Sequence, residues 1–174
     1  MQTRKNPRLS GYDYSREGVY FVTICTADRQ RLLGTVSMAV GGDAHIAPPS
    51  MESSATVGLT PLGKVVEKYL RSMPGIEKYV VMPDHVHFLV RIADGPMRAS
   101  APTVSLTKLV RSFKGLCTKA AGRPIWQRGY YDHIVRDEND FLRCWKYLDE
   151  NPVSWQERHP AEDPEPENRQ GGQP

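Results

Sequence analysis

Apolar positions along the chain follow two rhythms. At residues 18–26 (Gly-Val-Tyr-Phe-Val-Thr-Ile-Cys-Thr) they run almost unbroken and are β-branched or aromatic, which predicts a central strand. Residues 79–92 hold two more such runs around Pro83-Asp84, a turn signal, and predict an antiparallel hairpin. A short alternating stretch at 130–136 predicts one further strand. Elsewhere the spacing is helical. Thr60 and Pro61 open the first helix as N-cap and first-turn proline, and Leu62, Val65, Val66, Tyr69 and Leu70 share one face of it. Met73-Pro74-Gly75 ends that helix. Residues 105–121 predict a second, with Leu106, Leu109, Val110, Phe113, Leu116 and Cys117 on one arc and Lys108, Arg111, Lys114 and Lys119 opposite. Asp137 caps a third over residues 138–151, whose apolar arc is Phe141, Leu142, Cys144, Trp145 and Leu148. Pro152 is expected to stop it and to leave Asn151 in a frayed last turn.

The remaining segments are polar or small. Residues 1–17 are expected to form a basic polar arm, and the Gly-, Ser-, Ala- and Pro-rich residues 34–60 a flexible excursion with a weak hairpin. Residues 94–102 read as loop, and residues 156–174 as a disordered acidic, Pro-rich tail. One domain, residues 18–155, is left between them. Its order of strand, helix, hairpin, helix, strand predicts an α+β fold: a ferredoxin-like βαββαβ antiparallel sheet with two helices on one face. The first and third strands are then central, and the additional C-terminal helix falls to the open face.

Composition changes this picture little. The chain has 174 residues, 23 basic and 20 acidic. Residues 108–136 concentrate seven basic side chains against Asp132 alone, which points to a polyanionic partner or a solvated surface. Cys25, Cys117 and Cys144 are widely spaced and odd in number, so neither a disulfide framework nor a zinc motif is expected. No run approaches membrane-spanning length and the opening residues carry no apolar stretch, so the cytoplasm is the expected location.

The candidate chemistry lies on the hairpin. Side chains alternate along a strand, so Val86, Phe88 and Val90 share one face while His85 and His87 stand together on the other. Two imidazoles pointing the same way are a pair of metal ligands lacking a third, and Mg²⁺ or Mn²⁺ suits such a site when oxygen completes it. In the ferredoxin-like topology the third helix brings Tyr147 and Asn151, four residues apart, near that pair. Tyr147 has two readings there: a ring packed at a core edge, or a nucleophile for a phosphodiester. His133 is either a third ligand or a structural histidine. Trp126, Arg128 and Arg136, in a block where aromatics alternate with arginines, and Arg111 and Lys114 on the basic helix arc are candidate DNA contacts.

Met82-Pro83-Asp84-His85-Val86-His87 resembles the His-hydrophobic-His (HUH) motif of single-tyrosine transposases, specifically the REP-associated tyrosine transposases. Residues 126–136 and 147–153 resemble that family's second and third blocks, in order and spacing, so the likeness spans roughly residues 8–155. The resemblance implies a metal-dependent nuclease and strand transferase that cuts single-stranded DNA beside a hairpin through a 5′-phosphotyrosine. By it Tyr147 is the nucleophile, His85 and His87 are ligands, and Asn151 takes the third ligand position, where mobile relatives often carry Gln. It further implies a monomer, as for the REP-associated type, with the homodimer of the mobile relatives as the alternative. A hairpin-binding repressor or scaffold without catalysis is the rival reading, and a small-molecule metallohydrolase stands third.

Overall fold

The computed structural model describes residues 12–38, 55–93 and 105–159. Strand β1 (Gly18–Cys25) leads through a 3-10 turn to β2 (Gly34–Met38), which pairs with β3 (Ala55–Leu59). Helix α1 (Pro61–Arg71), strands β4 (Ile76–Met82) and β5 (His85–Ile92), helix α2 (Leu106–Ala121), strand β6 (Tyr131–Val135) and helix α3 (Glu138–Arg158) follow. The main sheet has the order β4-β5-β1-β6 with every neighbour antiparallel, the expected ferredoxin-like arrangement with β1 and β5 central. The ends of the 34–60 excursion form the β2–β3 ladder; its tip lies outside the described residues, as do residues 94–102 and the segment from 160 onward.

Two faces divide the work. Tyr20, Val22 and Ile24 of β1 and Val86, Phe88 and Val90 of β5 meet α1 and α2 in the main core. Thr60 caps α1 as expected, its Oγ1 accepting from Gly63 N, and in the structure Ser105 Oγ caps α2 by accepting from Lys108 N. Tyr14, expected in the arm, is buried in this core, and its carbonyl accepts from Leu106 N at 3.0 Å. Its ring packs on Tyr20 of β1, centroids 6.1 Å apart, and an aromatic ring in that position gains more by burial than by solvation. Leu116 and Leu142, placed by spacing on apolar arcs, are 42% and 55% exposed, because each arc is wider than the surface it covers.

On the opposite face, Val19, Leu89 and Leu148 form a smaller cluster with Phe141, Cys144 and Trp145 around it. Here the expected boundary of α3 is corrected. The helix passes through Pro152 to Arg158. A proline inside a helix forfeits one hydrogen bond and costs about 3 kcal/mol. Trp155, 6% exposed and packed on His85 with ring centroids 5.6 Å apart, offsets that cost by burying a large ring. Asn151 is therefore not frayed; it is 1% exposed.

The turn before His85 is pinned from the other side of the chain. Leu33 N donates to Pro83 O at 2.9 Å, and Leu33 O accepts from Thr60 N at 3.0 Å. That carbonyl lies so close to α1 that a Cβ at Gly63 would meet it at 1.9 Å. Alanine is the better helix former by about 1 kcal/mol, yet Gly63→Ala should destabilise the protein by about 2 kcal/mol in urea unfolding. A gain in stability would show that the Leu33 segment is free to yield.

Candidate active site on the open sheet face

Register decides which side chains meet. Thr23 lies opposite His87 on β5 and Tyr131 on β6, and Cys25 lies opposite His85. The row of outward residues thus carries both imidazoles at the end of β5 where α3 crosses. His85 and His87 are 5% and 6% exposed, their ring centroids 4.4 Å apart. Each Nδ1 is engaged. His85 Nδ1 donates to Asp84 Oδ1, and His87 Nδ1 lies 2.8 Å from Thr23 Oγ1. Nε2 is then the remaining donor atom of each ring, the arrangement in which an outer hydrogen bond sets the orientation of a metal-binding imidazole.

Asp84 is itself held. Its carbonyl accepts from Thr26 N at 2.8 Å and from Thr26 Oγ1 at 2.9 Å, and Arg29 Nη1 reaches its carboxylate at 3.5 Å. Burial raises the Asp84 carboxyl pKa, but the hydrogen bond from His85 and the charges of His85, Arg29 and His159 outweigh it and leave the group below its ordinary value. His87 moves the other way from a free imidazole. Burial, then the neighbouring His85 and the Arg29 and Arg158 charges, push its pKa down to about 2.

Helix α3 closes the site with residues spaced four apart. Tyr147 sets its ring 5.4 Å from His87 and 5.7 Å from Phe21, both edge-on, and Trp155 packs on His85. Asn151 stands midway between them on the same helix face. Its Oδ1 and Nδ2 are both buried with no hydrogen-bond partner among the described residues. A buried amide left unpaired costs about 1–3 kcal/mol, so this one invites a ligand. Tyr147 remains 46% exposed, open to a large substrate.

The other candidates lie apart. His133 pairs with Asp140 at 2.8 Å, away from the imidazole pair. Trp126 is buried at 8% exposure against Phe113, a packing role. Lys114 is half-buried and its Nζ donates to the carbonyls of Gln127 and Gly129, so it holds the chain before β6 rather than standing free on a basic arc. Arg111, Arg128 and Arg136 are exposed, and α2 with Arg111 lies on the sheet face opposite His85 and His87. Thr23 and Trp155, which touch the imidazoles, carry no motif; only register and the helix beyond Pro152 reveal them.

No family model matches the chain. An uncharacterised protein of Haemophilus influenzae is 29% identical over 181 residues, covering 88% of this chain and 91% of its own length. A provisionally named REP-associated tyrosine transposase of the same organism is 24% identical over 155 residues, covering 83% and 77%. The structure of a REP-associated tyrosine transposase bound to a REP hairpin superposes with a TM-score of 0.54 at 23% identity, over 84% of this chain and 74% of that one. The chain is similar to REP-associated tyrosine transposases in sequence and in fold. Its antiparallel sheet and three helices share the fold of the transposase structure. Among the described residues, no helix is long and apolar enough to cross a membrane.

In this transposase fold the neutral state of His87 has a measurable consequence. Its folded pKa lies below that of an unfolded histidine, near 6.5, so its contribution to stability is complete above that pH and is lost as pH falls. With metal chelated, lowering the pH from 7.5 to 5.0 should cost the protein about 2 kcal/mol more in urea unfolding than it costs His87→Gln. Equal losses would mean that water reaches the imidazole.

Proposed function

We propose that the chain is a metal-dependent, single-tyrosine HUH transposase of single-stranded DNA, cutting beside a hairpin and holding one end as a 5′-phosphotyrosine. One observation carries this reading: the buried, unpartnered Asn151 amide lies on α3 between Tyr147, against His87, and Trp155, against His85. Two imidazoles and an amide oxygen form a donor set that fits one Mg²⁺ or Mn²⁺. His85, His87 and Asn151 would hold it, and when bound it would polarise a phosphoryl oxygen.

The chain's own residues do the rest. Asp84 and Thr23 orient the two rings through Nδ1. Tyr147 Oη forms the new bond to phosphorus and loses its proton, the bond to the 3′ oxygen breaks, and that oxygen takes up a proton. The phosphodiester energy is kept in the tyrosine link, so the strand can be rejoined. Imidazoles and tyrosine come from one chain, so a monomer, acting in the cytoplasm, can complete the site. The exposed Arg128 and Arg136 flank β6, at the other edge of the sheet, and would contact DNA backbone.

Incubated with Mn²⁺ and a single strand bearing a hairpin, the protein should form a covalent adduct that survives denaturing electrophoresis. Tyr147→Phe should form none. An adduct on the phenylalanine variant would move the nucleophile elsewhere, and hairpin binding without cleavage under any metal would favour the non-catalytic repressor or scaffold. The metal site has its own check. Thr23→Val should weaken Mn²⁺ binding, read by calorimetry, by about tenfold or more. Asn151→Ala should also weaken it without lowering unfolding free energy measured free of metal, since an unpaired buried amide is removed and no hydrogen bond is lost. Unchanged Mn²⁺ affinity in Asn151→Ala would remove that residue from the ligand set.

A further inference from the structure

A second group of ligand-type side chains converges where β6 meets the first two turns of α3. His133 Nε2 lies 2.8 and 3.0 Å from the two carboxylate oxygens of Asp140. Cys144 stands four residues beyond Asp140, on the same face of α3. One ligand atom from each of the three, a ring nitrogen, a carboxylate oxygen and the sulfur, lies within 4.8 Å of the other two. Asp140 also accepts from Arg136 N at 3.1 Å and Arg143 Nη2 at 3.3 Å. Those contacts and His133 complete a helix cap without any thiol, and Cys144, at the edge of the Val19–Leu89–Leu148 cluster, turns its sulfur to within reach of them.

We propose that His133, Asp140 and Cys144 form a second cation site, selective for a soft divalent ion such as Zn²⁺, that ties β6 to α3. Nitrogen, oxygen and sulfur donors make a mixed tetrahedral set with the fourth position left to water. Thiolate favours Zn²⁺ over the hard Mg²⁺ and Mn²⁺ that suit imidazole with amide oxygen. Ligand bonds of about 2.0–2.3 Å require nitrogen and oxygen to part by roughly half an ångström from their hydrogen-bonded distance. His133, half-exposed, is free to make that shift, and the Asp140 carboxylate, near the surface yet screened by its own partners, is ionised. On binding, the Cys144 thiol loses its proton to solvent as the metal–sulfur bond forms. His133 presents the Nε2 lone pair, its proton passing to Nδ1, so the cation replaces the proton now shared with Asp140. The ion would anchor the N-terminal half of the helix that bears Tyr147. It shares no residue with the His85–His87 site, so either site can fail alone.

Cobalt(II) makes the site visible, because thiolate ligation adds an intense near-ultraviolet charge-transfer band that imidazole and amide ligands lack. Titrating the full chain with Co²⁺ should produce this band, and Zn²⁺ should abolish it by displacement. The band should vanish in Cys144→Ser and fall in affinity at least tenfold in His133→Gln, whose half-exposed amide can still donate to Asp140 and keep the helix end in place. It should persist in His85→Ala. In a His85→Ala background, which removes the imidazole-pair site, Zn²⁺ should raise the melting temperature in a concentration-dependent way, and adding Cys144→Ser should abolish that rise. Absence of the band in folded wild-type protein, or its survival in Cys144→Ser, would overturn the proposal and leave a helix cap only.

Discussion

The docking of α3 across the open face of the sheet governs everything else in the molecule. Without it, Val19 and Leu89 would expose apolar surface, and the two imidazoles would stand in water as ordinary histidines. Leu148, 2% exposed, seats the helix on those two residues. Once it is seated, the helical repeat places Tyr147 on His87 and Trp155 on His85. The same packing that stabilises the fold thereby dries the site. A buried imidazole beside a second one is held neutral, which is the state a metal requires.

Helix α3 is held at its edge as well. Lys78 of β4 pairs with Asp149 at 2.6 Å and places its ammonium 4.2 Å from the Trp145 ring. Asp149 is well exposed, so this pair contributes little stability and serves better to fix the helix's angle on the sheet. Its N-terminus is held more firmly, by the Asp137 cap on Asp140 N at 2.8 Å and by Asp140 bound to His133. A helix fixed at both ends and along its middle presents Tyr147 in one place. The phenol still faces solvent, for Tyr147 lies at the margin of the buried face and is half exposed.

Second-layer contacts show the same economy of construction. One threonine, Thr26, holds the backbone of Asp84, whose carboxylate holds His85. Another, Thr23, holds His87. Thr23 lies on β1, a central strand paired on both sides, and Thr26 follows directly on its last residue. Orientation of the imidazoles thus derives from the stiffest part of the sheet, while the tyrosine derives from a helix packed on it.

The order of elements, the helix caps at Thr60 and Asp137, and the outward pairing of His85 and His87 were legible in the sequence. Each depends on local periodicity or on a side chain bonding its own neighbouring backbone, and both are short-range effects. The resemblance of three blocks supplied Tyr147 and Asn151 together. What only tertiary structure decided was everything set by contacts between elements distant in the chain. Pro152 reads locally as a stop, but Trp155 buried on His85 carries the helix past it. Lys114 reads as a free charge, but the carbonyls of Gln127 and Gly129, thirteen and fifteen residues on, accept hydrogen bonds from its ammonium. Thr23 becomes a partner of His87 only through strand register across 64 residues of chain, and the meeting of His133, Asp140 and Cys144 needs β6 and α3 packed together. Periodicity tells a side chain which face it occupies; only packing tells it what stands opposite.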